Sequence, residues 1–146
     1  MADETLATRR FLLFQAGSFS CACPLDQVRE IIPARSPTRL PGAPGWVRGL
    51  INVRGTLVTV ADLRLRLGGD VVSDAGRSIV IIDGVGKRVG VYVDQVRDVR
   101  AIGDDALEAV EQERSVGGVF GLVARVEGSP VLVCDPEALV RSILDI

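Results

Sequence analysis

Along this chain apolar residues recur at every second position, in short runs broken by glycine or by charged residues. That period matches a pleated strand, whose successive side chains point to opposite faces. It predicts strands over Phe11–Ala16, Phe19–Cys23, Val47–Val53, Leu57–Ala61, Ser78–Asp83, Arg88–Val93, Val96–Ile102, Val119–Val126 and Val131–Cys134. The spacing changes near the end, where Leu139, Val140, Ile143 and Leu144 recur at helical intervals behind Asp135 and Pro136, a cap residue and a first-turn residue. A docked C-terminal helix over 136–145 is expected. Short helices are also expected over Leu25–Ile31 and Asp62–Leu67. The stretch Asp104–Gly118 is readable both ways, with helix formers at Ala106–Glu113 and a glycine-rich exit.

The pattern repeats. Shifted by 68 positions, Phe11–Phe14 falls on Ile79–Ile82, and Asp26-Gln27-Val28-Arg29-Glu30-Ile31 falls on Asp94-Gln95-Val96-Arg97-Asp98-Val99. At an offset of 73, Gly55–Asp62 resembles Gly128–Asp135, each reading as a tight turn, a strand and a helix start. The chain therefore reads as one mainly β domain, 1–146, made of two similar five-stranded barrel-like (SH3-like) subdomains packed together. One would span approximately 20–85, the other approximately 86–135 plus the N-terminal strand. Closing such small sheets on themselves and packing them together hides apolar faces and exposed edges.

Composition sharpens this. Valine, isoleucine and threonine number 22, 9 and 5 of 146 residues, a β-branched content that favours strands over helices. There is no histidine, which removes imidazole nucleophile systems, imidazole metal ligation and phosphohistidine relay. A net charge of -2 with 4% aromatic residues offers neither a basic phosphate-binding surface nor a base-stacking platform. No apolar run approaches the ~20 residues of a membrane span, and the first ten residues lack the apolar core of a secretion signal, so a cytoplasmic location without membrane insertion is expected. Charge is uneven: residues 1–70 carry nine arginines against six acids, net +3, and residues 71–146 are net -5. Opposite potentials at two ends favour different partners or head-to-tail association.

The chemical motifs are few. Cys21, Cys23 and Cys134 lack the spacing of a zinc or redox site and read as reduced core thiols. Asp83-Gly84-Val85-Gly86-Lys87-Arg88-Val89-Gly90 has its third glycine one residue late for a dinucleotide loop and leads into a strand, so it reads as a hairpin turn. The densest signal is Leu40–Arg64: Pro and Gly residues, Trp46, then two strands about the turn Asn52-Val53-Arg54-Gly55, bracketed by Arg48 and Arg54. A guanidinium held by such a hairpin can fork onto a carboxylate of its own chain or of a partner.

This run, with Trp46-Val47-Arg48-Gly49, Asn52-Val53-Arg54-Gly55 and Val60-Ala61-Asp62-Leu63, resembles the central motif of the CheW-like domain, the bacterial chemotaxis coupling family. The resemblance extends through Val28-Arg29-Glu30-Ile31, Val89–Val96 and Gly128–Leu139. It implies two barrel-like subdomains and an adaptor without catalysis or cofactor. The implied partners are the cytoplasmic tip of a methyl-accepting chemoreceptor and the regulatory domain of a CheA-type histidine kinase, with self-association in rings a further possibility. Carried over residue by residue, Arg54 takes the arginine of the family's N-x-R-G motif and Glu30 its acidic partner, while Val28, Gly49, Asn52 and Gly55 match positions tied to receptor or kinase contact. The competing reading, from the residues alone, is a β-barrel module for nucleic acid or a small ligand.

Overall fold

The computed structural model describes residues 8–109 and 119–144. Its strands are β1 (Thr8–Ala16), β2 (Phe19–Pro24), β3 (Val28–Pro33), β4 (Val47–Val53), β5 (Thr56–Asp62), β6 (Ser78–Gly84), β7 (Lys87–Val93), β8 (Gln95–Gly103), β9 (Leu107–Ala109), β10 (Phe120–Val126) and β11 (Ser129–Cys134). Two helices follow β5 and β11, α1 (Leu63–Arg66) and α2 (Pro136–Leu144). All nine expected strands are present. The expected helix over Leu25–Ile31 is only a single 3-10 turn at Leu25–Gln27, after which Val28, Ile31 and Ile32 are drawn into β3 by pairing with β6. β-branched residues fit that pleated edge better than a helix. In the stretch readable both ways, Asp104–Ala106 forms a 3-10 turn and Leu107–Ala109 pairs with β10. Residues 110–118 lie outside the described residues.

Two sheets result, in the orders β8-β1-β2-β11-β10-β9 and β3-β6-β7-β5-β4. If β1, β2, β3, β4 and β5 are matched to β6, β7, β8, β10 and β11, as the repeat directs, the two orders become identical apart from the added β9. Each sheet also contains one parallel pair, β11 with β2 and β5 with β7. Each repeat lends strands to both sheets. The sequence-based division at 85/86 therefore differs from the pairing: β2 belongs with β1 and β11, and β7 with β6 and β5. One subdomain is six-stranded rather than five-stranded, through β9. The cause is a reciprocal exchange, in which β3 leaves the first hairpin to pair with β6 while β8 leaves the second to pair with β1.

Burial follows from that exchange. Phe11 and Leu13 face a core inside the six-stranded sheet, while Leu12 and Phe14 face the junction. Ile79 and Ile81 face the core of the five-stranded sheet, while Val80 and Ile82 face the same junction. Both continuous apolar runs thus belong to strands covered on two faces. Leu139, Val140 and Ile143 of α2 complete the junction, and Pro136 packs so close to Gly84 that a Cβ there would stand 2.7 Å from its carbonyl oxygen. Asp135 caps α2 as expected, accepting from the N–H groups of Glu137 and Ala138. The three cysteines are free and buried at the junction; burial pushes the Cys21 thiol up to about 12.

Candidate functional site

Hairpin chemistry creates the site. Between β4 and β5, Arg54 and Gly55 both take positive φ, 53° and 86°, the left-handed pair of a tight two-residue turn, and Asn52 Oδ1 accepts from the Gly55 N–H at 2.8 Å. The turn is locked by its own side chain. Across the sheet, Glu30 stands on edge strand β3, and the Arg54 guanidinium forks onto it: Nε to Oε2 at 3.2 Å and Nη2 to Oε1 at 3.1 Å. Since β3 and β4 are opposite edges of one sheet, the pair shows how far that sheet curls. A backbone bridge pairs Thr38, in the segment that follows β3, with Leu50 of β4.

Arg54 holds its partner while staying open: its side chain is 80% exposed, against 27% for Glu30. The hydrogen bond from Arg54 pulls the Glu30 carboxyl below its ordinary value, helped by the fields of Arg54, Arg88 and Arg29. The same contact raises the Arg54 guanidinium. Nearby, Arg29 and Arg88 both reach Asp83, at 3.4 and 2.9 Å, and Ile31 and Leu57 are exposed apolar side chains. The tip is a cationic surface held by its own hydrogen bonds.

The other expected residues have structural tasks. Gly49, at φ 139°, lies against the 34–46 segment, and a Cβ there would stand 1.9 Å from the Thr38 carbonyl oxygen. Val28 is half-buried against the junction. Arg48 does fork onto a carboxylate of its own chain, donating to Asp74 at 2.7 and 3.2 Å, and its guanidinium lies 4.2 Å from the centre of the Tyr92 ring.

Sequence reasoning missed a second constellation. Arg77, buried ahead of β6, donates Nη1 and Nη2 to the two oxygens of Asp62, each at 2.8 Å, and Nε to Asp94 at 3.0 Å. Arg64 Nη1 donates to the other oxygen of Asp94 at 3.0 Å, and that oxygen also accepts the N–H of Gly17 from the β1–β2 turn. Bonding to Asp62 raises the Arg77 guanidinium, against the cost of its burial. The cluster ties the two sheets at the start of α1. One signal was present: Arg9 and Arg77 stand 68 apart, as do Asp26 and Asp94, so the repeat covers the cluster's own charges.

Among the described residues no group of three or more His, Cys, Asp or Glu side chains forms a metal site, and no helix is long and apolar enough to cross a membrane. The family model described as the CheW-like domain matches residues 10–144. A chemotaxis protein CheW of Rhizobium meliloti is 31% identical over 125 residues, covering 81% of each chain. That of Klebsiella aerogenes is 33% identical over 103 residues, 70% of this chain and 61% of the relative. The crystal structure of the scaffolding protein TtCheW from Thermoanaerobacter tengcongensis superposes with a TM-score of 0.82 at 23% identity, covering 91% of this chain and 92% of that one.

Proposed function

The chain belongs to the CheW-like domain family, and from that membership we propose that it is a non-catalytic adaptor joining methyl-accepting chemoreceptors to a CheA-type histidine kinase in a chemosensory array. Family membership supports a scaffold acting in chemotaxis. The observation that carries the finer reading is the β4–β5 tip, where Arg54 is oriented by Glu30 yet remains exposed, as Leu57 on β5 and Ile31 on β3 also are. An oriented guanidinium loses little freedom on docking and can add a second carboxylate from a partner.

The partners in this reading are the kinase's regulatory domain and the cytoplasmic tip of the receptor, with recruitment to arrays in the cytoplasm. Self-association in rings extends the reading, for the second subdomain carries the opposite charge at its matching tip. Glu127 occupies the turn position of Arg54 and Asp98 that of Glu30, with Arg100 between them at 3.0 and 3.3 Å. Individual contacts of this size are weak, about 1,200 Å² or less, and a lattice of them is firm through multivalency. The nucleic-acid and small-ligand alternative is not favoured by the relatives the chain matches.

The test is reconstitution. A receptor cytoplasmic fragment, a CheA-type kinase and this chain are expected to co-sediment as a ternary complex that is lost when the chain is omitted. Recovery of the same receptor–kinase complex without the chain overturns the coupling role.

A further inference from the structure

The segment 34–46, which joins β3 to β4, leaves a cavity of about 410 Å³ between itself, α1 and the valines at 71 and 72. Its walls are fixed by the fold. Thr38 and Leu50 exchange backbone hydrogen bonds at 2.8 Å, the Asp62 N–H donates to the Trp46 carbonyl at 2.7 Å, and Arg48 forks onto Asp74, two residues past Val72. The lining is largely apolar, with Leu40, Pro44, Leu65, Val71 and Val72. Val71 and Val72 are 82% and 38% exposed, and Val71 is the most exposed large apolar side chain among the described residues. An isolated exposed valine is ordinary; two in succession beside an apolar cavity are surface that a partner would remove from water.

The charge around this cavity has one sign. The one acid that lines it, Asp62, already accepts both Nη groups of the buried Arg77. Of the two lining cations, Arg48 is bound to Asp74, whereas Arg39 is exposed and has no acid partner among the described residues. Arg35 on the same segment has none either. Arg66, next after Leu65, stacks on the Trp46 ring at 5.2 Å without an acid, and its Nε is buried with no acceptor. Three guanidinium groups thus stand without a carboxylate beside an apolar cavity.

We propose that this cavity is a docking site for an acidic, aliphatic segment of a partner protein, which seats a branched apolar side chain against Leu40, Leu65 and Val71 and sets a carboxylate on Arg39. Charge complementarity selects the acid, since arginine forks onto carboxylates and like charges would be repelled. The apolar lining selects the aliphatic side chain. A small carboxylate held inside the cavity would leave Val71 in water, so the occupant is a longer chain that covers the rim. Preformed walls keep the ordering cost of such docking low. Neither Glu30, Arg54 nor Leu57 lines the cavity, and the proposal stands whether or not the Arg54 tip meets a kinase or a receptor.

The test uses the full chain, isotopically labelled and titrated by NMR with three peptides: acetyl-Glu-Leu-Leu-Glu-amide, its neutral isostere acetyl-Gln-Leu-Leu-Gln-amide, and acetyl-Glu-Ser-Ser-Glu-amide. The first is expected to shift the amides of Leu40, Leu65, Val71 and Val72 in a saturable way. The glutamine peptide should bind about tenfold more weakly, and the serine peptide without saturation. Arg39→Glu should weaken the first peptide about tenfold with the thermal midpoint unchanged, and Val71→Ser should weaken it with every charge left in place. Equal binding of the glutamate and glutamine peptides, saturable binding of the serine peptide, no saturable shift at this cavity, or unchanged binding in either variant overturns the proposal. A shift of the same amides on concentrating the chain alone also overturns it, because a second copy would then be the occupant.

Discussion

At its two hairpin tips the molecule repeats one backbone device with reversed charge. Arg54-Gly55 and Glu127-Gly128 adopt the same left-handed pair of φ angles, 53° and 86° in one, 52° and 81° in the other. Yet the first presents a cation held by Glu30 and the second an anion held by Arg100. The same divergence marks the helix caps: Asp62 accepts the buried Arg77 guanidinium, while Asp135, among the described residues, accepts only backbone N–H groups. Duplication preserved strand order and turn geometry, because those are set by glycine, β-branched residues and junction packing. The charges at matching positions are not shared, Arg54 standing against Glu127 and Glu30 against Asp98, and the two halves present different surfaces.

The sharpest way to break this comparison is to treat both halves alike. Arg77→Met removes a buried cation from two carboxylates and is expected to cost about 3–5 kcal/mol in urea unfolding, whereas Arg9→Met leaves the midpoint within measurement error. Equal losses would mean that Arg9 is held by acids as Arg77 is. Next in size is Gly49→Ala. Its Cβ would collide with the Thr38 carbonyl oxygen and the backbone is in the left-handed region, so a loss of about 3 kcal/mol is expected by thermal melting. Gly121, in the matching bulge of β10, has nothing within 4 Å of a Cβ and tolerates the same substitution.

Much of this difference was legible beforehand. The nine strands, the cap at Asp135, the hairpin at Asp83–Gly90 and the Glu30–Arg54 pair follow from alternation, turn chemistry and the resemblance of the Asn52–Gly55 motif. β3 was not legible, since Leu25–Ile31 reads as a short helix and only the exchange with β8 makes Val28–Pro33 an edge strand. The boundary between subdomains was hidden for the same reason: linear order says nothing of which sheet a strand joins. The Arg77 cluster was missed because its members are spread over Gly17, Asp62, Arg64 and Asp94, and long-range ion pairs leave no local period.

Titration separates the junction from the tips. Burial raises the Cys21 thiol, so its contribution is fully present below the ordinary thiol value of 9.0 and is lost as pH rises toward about 12. Cys21→Ala is expected to show a shallower alkaline fall in stability, seen by unfolding at a series of pH values. The smallest effect belongs to Glu30. Its carboxyl is lowered by Arg54, so the pair contributes above the ordinary value of 4.5 and is lost as pH falls through the lowered one. An NMR titration of the Glu30 side chain in Arg54→Ala should return the midpoint toward 4.5; an unmoved midpoint would assign the shift to another neighbour.

The exchange of charges across the first tip tests the docking claim most directly. Arg54→Glu alone reverses the exposed charge and loses the ion pair, while Glu30→Arg combined with Arg54→Glu restores the pair and keeps the reversed charge outermost. In co-sedimentation with a receptor fragment and a CheA-type kinase, both variants should fold like the parent and both should fail to form the ternary complex. Recovery of the complex by the double variant would mean that the pair only braces the sheet, and that Arg54 does not itself meet a partner.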